Sequence, residues 1–168
     1  MGCPADIAAA IMARKARYGW CIDTKNFEKL KELALPASRF SFCNEKGEPT
    51  VLAGRVFHFE SPAAFAAWCA KLMNPMDTIH MFGPGQFEQV APDTVEAVFS
   101  MEDQFVHKIL GSWVEQRGGG YYYETWKLAD GEWCIEELVL KRNYQKYSLL
   151  LSFAIFLQET LGVPIFEL

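Results

Sequence analysis

Apolar positions recur at helical spacing from Asp6 to Ile22, where Ile7, Ala10, Ile11 and Tyr18 make one stripe and Arg14, Lys15 and Arg17 fall between them. That pattern predicts an amphipathic helix. A second helix is predicted directly after it, with Asp23 or Thr24 as its cap, Phe27, Leu30, Leu33 and Ala34 as its apolar stripe, and Pro36 as its stop. The period then switches to two: Arg39 to Cys43 alternates Phe40 and Phe42 with polar neighbours, Asn44 to Thr50 supplies turn residues, and Arg55 to Phe59 reads as the returning strand. Ser61-Pro62 opens a third helix carrying Phe65, Trp68, Cys69 and Leu72, which ends near Asn74-Pro75.

The remainder reads as strands, namely Thr78 to Phe82, Gln86 to Val90, Thr94 to His107, Tyr121 to Leu128 and Trp133 to Leu140. Gly83-Pro84-Gly85, Ala91-Pro92-Asp93, Gly118-Gly119-Gly120 and Asp130-Gly131 are the expected separators, the last being a two-residue hairpin signal of type I′. Tyr147 to Leu161 is an apolar final helix, suited to lie on the body or on a neighbouring subunit, and an aliphatic tail follows it. Helices first and an antiparallel meander afterwards give an α+β class: helices packed on a strongly curved antiparallel or mixed sheet that forms a cone with a mouth. One domain spanning 1–168 is expected.

Composition narrows the function. Hydrophobic residues are 51% and charged residues 22% of the 168, which supplies enough buriable surface for a self-sufficient core. A net charge of -5 without a basic cluster argues against nucleic acid as partner. The five cysteines are widely spaced, with no CxxC or Cys/His pattern, so reduced thiols and no metal site are expected. No secretory signal and no run of about 20 apolar residues is found, which points to a cytoplasmic protein without membrane insertion. P-loop, GxGxxG, GxSxG, HExxH and EF-hand patterns are lacking.

Candidate chemistry comes from positions that break the pattern. Within Thr94 to His107 the odd positions Val95, Ala97, Phe99, Met101 and Phe105 are apolar, and Asp103 shares their face. A carboxylate there needs a partner. His58, His80 and His107 are the available imidazoles, and His80 stands before a Gly-Pro-Gly bend where a side chain can project toward the mouth. Tyr18 lies on the inner stripe of the first helix and Asp23 at its end. Glu124, on the face of Tyr122 and Trp126, and Arg142 read as a buried pair or a pocket rim, although charged strand ends are usually solvated.

These residues, in this order, resemble the SnoaL-like branch of the NTF2-like cone fold. The matching stretches are RYGWCIDTKNFEKL from Arg17, DTIHMFGPGQFEQVAPDTVEAVFSMED from Asp77 and GGGYYYETWKLADGEW from Gly118. The closest functional likeness is to bile acid dehydratases, with scytalone dehydratases more distant. In the former a Tyr, an Asp five residues on, a His and an Asp 23 residues after it line the pocket, and Tyr18, Asp23, His80 and Asp103 keep those separations. Arg142 is the counterpart of an Arg that ends the strand after the hairpin. Where scytalone dehydratases carry further tyrosines and a second histidine, this chain has Ile22, Phe42 and Phe105; where many relatives have a His after the glycine run, it has Tyr121.

The resemblance implies a cofactor-independent lyase, with an isomerase, a cyclase or a non-catalytic binding scaffold as alternatives. His80 would be base and then acid, Asp103 would hold its ring, Tyr18 would donate to a substrate carbonyl, and Asp23 would orient Tyr18 or assist the departing hydroxyl. Arg142, Phe42, Phe82 and Phe99 are expected to contact substrate, as are Met101, Phe105, Tyr121 and Tyr123. The expected ligand is a small apolar polycyclic or polyketide-like molecule, and the expected assembly a homo-oligomer, trimer or dimer.

Overall fold

The structure, a computed structural model, describes residues 2–52 and 54–163. Helix α1 runs over Ala5–Asp23, and its buried side chains Ile11, Lys15, Tyr18 and Ile22 fall four, three and four residues apart, one continuous stripe on the sheet side. Helix α2 is only Phe27–Lys31, and its cap is Asn26, whose side chain accepts from the Lys29 N–H at 3.4 Å. The helix predicted to run on toward Pro36 is therefore corrected. A residue preceding proline disfavours the helical region, and Ala34 pairs with Ile135, so strand pairing takes over from helical periodicity.

Strand β1 spans Ala34–Cys43, β2 Val51–Leu52, β3 Arg55–Val56 and β4 His58–Phe59. Pro36 falls inside a register shift between Ala34 and Arg39, where its missing N–H interrupts no regular ladder. Helix α3, Pro62–Met73, starts as expected, with Ser61 accepting from the Ala64 N–H at 3.2 Å and Pro62 in the first turn. It lays Phe65, Trp68 and Cys69 against the sheet.

Strands β5 (Met76–Phe82), β6 (Gln86–Ala91), β7 (Thr94–His107), β8 (Gly111–Ala129) and β9 (Glu132–Tyr147) complete a mixed, curved sheet in the order β4-β1-β9-β8-β7-β5, with β6 also on β7. All pairs are antiparallel except β1 with β9, which is parallel. Asp130 and Gly131 both take positive φ, 50° and 82°, as the expected hairpin turn requires. Gly118-Gly119-Gly120 is not a separator: it lies within β8 and pairs with both neighbouring strands. A Cβ on Gly120 would stand 2.1 Å from the Lys141 carbonyl oxygen, so the β9 backbone approaches too closely there for a side chain, while a Cβ on Gly118 or Gly119 would meet the Arg142 or Tyr144 side chain.

The last helix, α4, is Leu149–Leu161, two residues shorter at its start than expected because Tyr147 still belongs to β9. It touches β8 but buries none of its own residues. The predicted aliphatic tail falls almost wholly on 164–168, outside the described residues. Among the described residues no helix is long and apolar enough to cross a membrane.

Candidate active site

Antiparallel register puts His80 opposite Asp103 on adjacent strands, facing the interior, while α1 crosses above them and brings Asp23 down to β5. The expected partner of the imidazole is corrected here. His80 Nδ1 lies 2.7 Å from Asp23 Oδ1, and the His80 backbone N–H donates to Asp23 Oδ2 at 2.9 Å. Thr78 Oγ1 donates to Asp23 Oδ1 at 2.9 Å and in turn accepts from Lys25 Nζ at 2.7 Å. Burial raises the Asp23 pKa, but the imidazole, that N–H and the Thr78 hydroxyl outweigh it and hold the carboxyl below its usual range.

An ionised carboxylate only accepts, so the ring proton of neutral His80 sits on Nδ1 and the free lone pair on Nε2. Among the described residues Nε2 has no hydrogen-bond partner. Phe105 packs its ring edge-on against the imidazole, centroids 5.6 Å apart. The His80 side chain is only 3% exposed.

Asp103 has a different partner. Arg142 clasps it with two parallel bonds, Nη1 to Oδ1 at 2.9 Å and Nη2 to Oδ2 at 2.6 Å, and Nη1 also reaches the Met101 sulfur at 3.6 Å. The aspartate is 1% exposed. Gly118 makes room for this fork, because a Cβ there would stand 2.8 Å from Nη1. Burial lowers the pKa of the guanidinium, and Asp103 more than restores it. The Asp103 carboxylate is thus committed to Arg142 and does not orient His80.

A third buried pair was not foreseen. Lys15 donates to Glu124, which also accepts from Trp126 Nε1 at 2.9 Å, and neither charged side chain is more than 1% exposed. The Lys15 Nζ lies 3.5 Å from the Tyr122 ring centroid, 4.4 Å from Tyr18 and 4.5 Å from Phe82. Burial pushes the amine pKa down and the carboxyl pKa up. Glu124 is therefore a buried partner, not a solvated strand end. The signal was present in the spacing: Lys15 sits four residues after Ile11 and three before Tyr18, inside the apolar stripe.

A cavity of about 280 Å³ opens between α1 and the end of β5, lined by Met12, Lys15, Ala16, His80, Phe82, Gly83 and Phe99. Phe82 and Phe99 are placed as expected. Tyr18 is not on this wall: it is 1% exposed, its ring packs between Phe65, Phe82 and Tyr122, and burial holds its phenol pKa well above normal. Met101 and Phe105 lie on the inner face of β7 around Arg142 and His80. Three other expectations fail. Tyr121 and Tyr123 point outward, 41% and 42% exposed, since β8 alternation gives its inner face to Tyr122 and Glu124. Phe42 joins the rings of Phe59, Phe65 and Trp68 under α3, away from the cavity. Of the other histidines, His58 binds Ser41 and Glu60 on the surface, and His107 accepts the Ile109 and Leu110 N–H groups of a turn.

Fold and site together define a cone-shaped α+β protein with a carboxylate–imidazole dyad at its inner wall. The chain belongs to the SnoaL-like domain family, whose profile matches residues 5–139. It is 30% identical over 141 residues, 84% of this chain and 94% of the other, to the probable cyclase FGR4 of Gibberella zeae. Its fold is that of a scytalone dehydratase-like protein of Novosphingobium aromaticivorans, TM-score 0.70 at 15% identity over 82% of this chain and 85% of that one. Hexachlorocyclohexane dehydrochlorinase LinA-type3 of Novosphingobium barchaimii gives TM-score 0.67 at 15% identity over 86% and 95%.

Proposed function

We propose that this chain is a cofactor-independent acid–base enzyme that removes a proton next to a carbonyl in a small apolar polycyclic or polyketide-like metabolite and then expels water. The observation that carries the reading is the Asp23–His80 dyad beside a cavity walled by Phe82 and Phe99. His80 Nε2 takes the α-proton, the C–H electron pair becomes the enolate, and the imidazolium so formed is stabilised by the Asp23 carboxylate. When the β-hydroxyl leaves, the same imidazolium returns the proton to it, so water and a conjugated alkene result. Arg142 and Asp103 hold the inner face of β7 and β9 in register beside the site.

A cyclase is the second reading, favoured by the likeness to FGR4, because an enolate that attacks a second carbonyl in place of expelling hydroxide uses the same base. Proton abstraction is common to both, so it is the step to test. In D2O the protein should catalyse α-proton exchange of an apolar bicyclic ketone such as 1-tetralone, followed by NMR. His80→Ala, with unchanged circular dichroism, should exchange roughly 100-fold more slowly or worse. Equal exchange by the variant would remove His80 from the reaction.

A further inference from the structure

Thr78 and His80 stand two residues apart on β5, so their side chains leave the same face of the strand, and both meet Asp23 at the end of α1. One further side chain reaches this set from the turn after α1: Lys25, whose Nζ donates to Thr78 Oγ1 at 2.7 Å. We propose that Lys25 is a positioning residue of the acid–base site, its ammonium acting through the Thr78 hydroxyl to fix Asp23 as the acceptor that holds the His80 ring. The inference rests on the acid–base reading and adds to it the group that keeps the carboxylate of the dyad in one orientation.

Donor chemistry gives the chain a single direction. A protonated lysine only donates, so Thr78 Oγ1 accepts from it, and the hydroxyl proton is left for Asp23 Oδ1 at 2.9 Å. Asp23 Oδ1 then receives both Thr78 and His80 Nδ1, while Oδ2 receives the His80 backbone N–H, so the carboxylate is held at both oxygens. Without the ammonium the Thr78 hydroxyl is free to rotate and to donate elsewhere. Asp23 would then lose one of its three donors, and the imidazole part of the support for its partner.

The backbone supplies an independent observation. Lys25 has φ 61°, in the left-handed region, directly after the Thr24 cap of α1. Glycine is the usual residue at that point, because a Cβ is strained there. Among the described residues the other non-glycine with positive φ is Asp130, in the hairpin turn whose type calls for it. A lysine kept in a strained conformation at the edge of a site is accounted for by what its side chain does there.

The other charged and titratable groups facing Lys25 are Asp77 of β5, Lys108 in the turn after β7 and the Cys69 thiol of α3. Burial lowers the pKa of the amine, Asp23 raises it, Lys108 lowers it and Asp77 raises it. A cation here also complements the negative end of the α1 dipole. That effect does not pass through Thr78, which is what the test separates.

The test follows the Asp23 carboxyl carbon by 13C NMR through an acid titration of the full chain, in wild type, Lys25→Gly, Thr78→Val and the double variant. Glycine relieves the left-handed backbone, and valine keeps the shape of threonine, so each single variant removes its polar group from a folded protein. Each should raise the Asp23 midpoint by about half a unit or more, roughly a threefold change in its ionisation constant. The double variant should rise no further than Thr78→Val alone, because the lysine acts through the hydroxyl. A midpoint unmoved in Lys25→Gly, or single shifts that simply add in the double variant, would overturn the proposal. In the tetralone exchange Lys25→Gly should lower the rate at saturating ketone several-fold and leave KM near its wild-type value. The two readouts also separate this inference from the reading beneath it. Raised, non-additive midpoints in a protein whose wild type exchanges no ketone keep the link from Lys25 to Asp23 and withdraw the acid–base reading; wild-type exchange with unmoved midpoints does the reverse.

Discussion

At the scale of single residues, the cone interior is organised by charges that each found a partner: Asp23 with His80, Asp103 with Arg142, Lys15 with Glu124. Burial of an unpaired charge costs far more than burial of a pair, so the pairing is a condition of the fold as well as of chemistry. Asp23 gives this a measurable pH signature. Its folded pKa is depressed, so the stability it contributes is complete above the unfolded carboxylate value, about 3.9, and is lost as pH falls through the lower folded value. Wild type should therefore exceed Asp23→Asn in urea-unfolding stability at neutral pH, and the gap should close only below about pH 4. A gap that stayed constant into strong acid would show that Asp23 contributes through packing and not through its charge.

At the scale of elements, β8 and β9 depend on the glycine run more than on any turn. Gly120→Ala places a methyl 2.1 Å from a backbone carbonyl, which cannot rotate aside, whereas Gly118→Ala meets the tip of Arg142 at 2.8 Å, a guanidinium that Asp103 holds in place. Gly120→Ala should thus cost roughly 1–3 kcal/mol or more in chemical denaturation, and Gly118→Ala should also destabilise, by pushing the guanidinium off a buried carboxylate. Near-wild-type unfolding of Gly120→Ala would mean that the strands part easily there. The same run explains what the sequence could and could not reveal. Period-two alternation made β7 legible to its last residue, and Asp103 was found because it interrupts that alternation. Three consecutive glycines read as a turn because the strand that crowds them lies more than 20 residues away in the chain. Lys15 was missed for a related reason: a lysine between arginines reads as a wet helix face, and only Glu124, on a distant strand, makes burial tolerable. The Asp23–Asp103 exchange of roles is likewise tertiary, since four matching separations identify which residues meet but not which pairs form.

At the scale of the whole molecule, an apolar surface is left over. Leu149, Phe153 and Phe156 of α4 are 91%, 57% and 52% exposed, and Ile109 of the β7–β8 turn and Trp113 near the start of β8 are 87% and 72%. The two groups form one surface, because Ser148 Oγ donates to the Trp113 carbonyl at 2.7 Å and accepts from the Glu115 N–H at 3.2 Å. Apolar patches of this kind mark contact with a partner or a membrane. A net charge of -5 disfavours an anionic lipid surface, which leaves self-association as the reading that also satisfies α4, a helix with no buried face of its own. The chain should then sediment as a dimer or trimer, and Phe153→Asp/Phe156→Asp should sediment as a folded monomer with the cavity unaltered, since neither residue lines it. A wild-type chain that sediments as a monomer, or a double variant that keeps the wild-type mass, would assign this face to something other than a second copy.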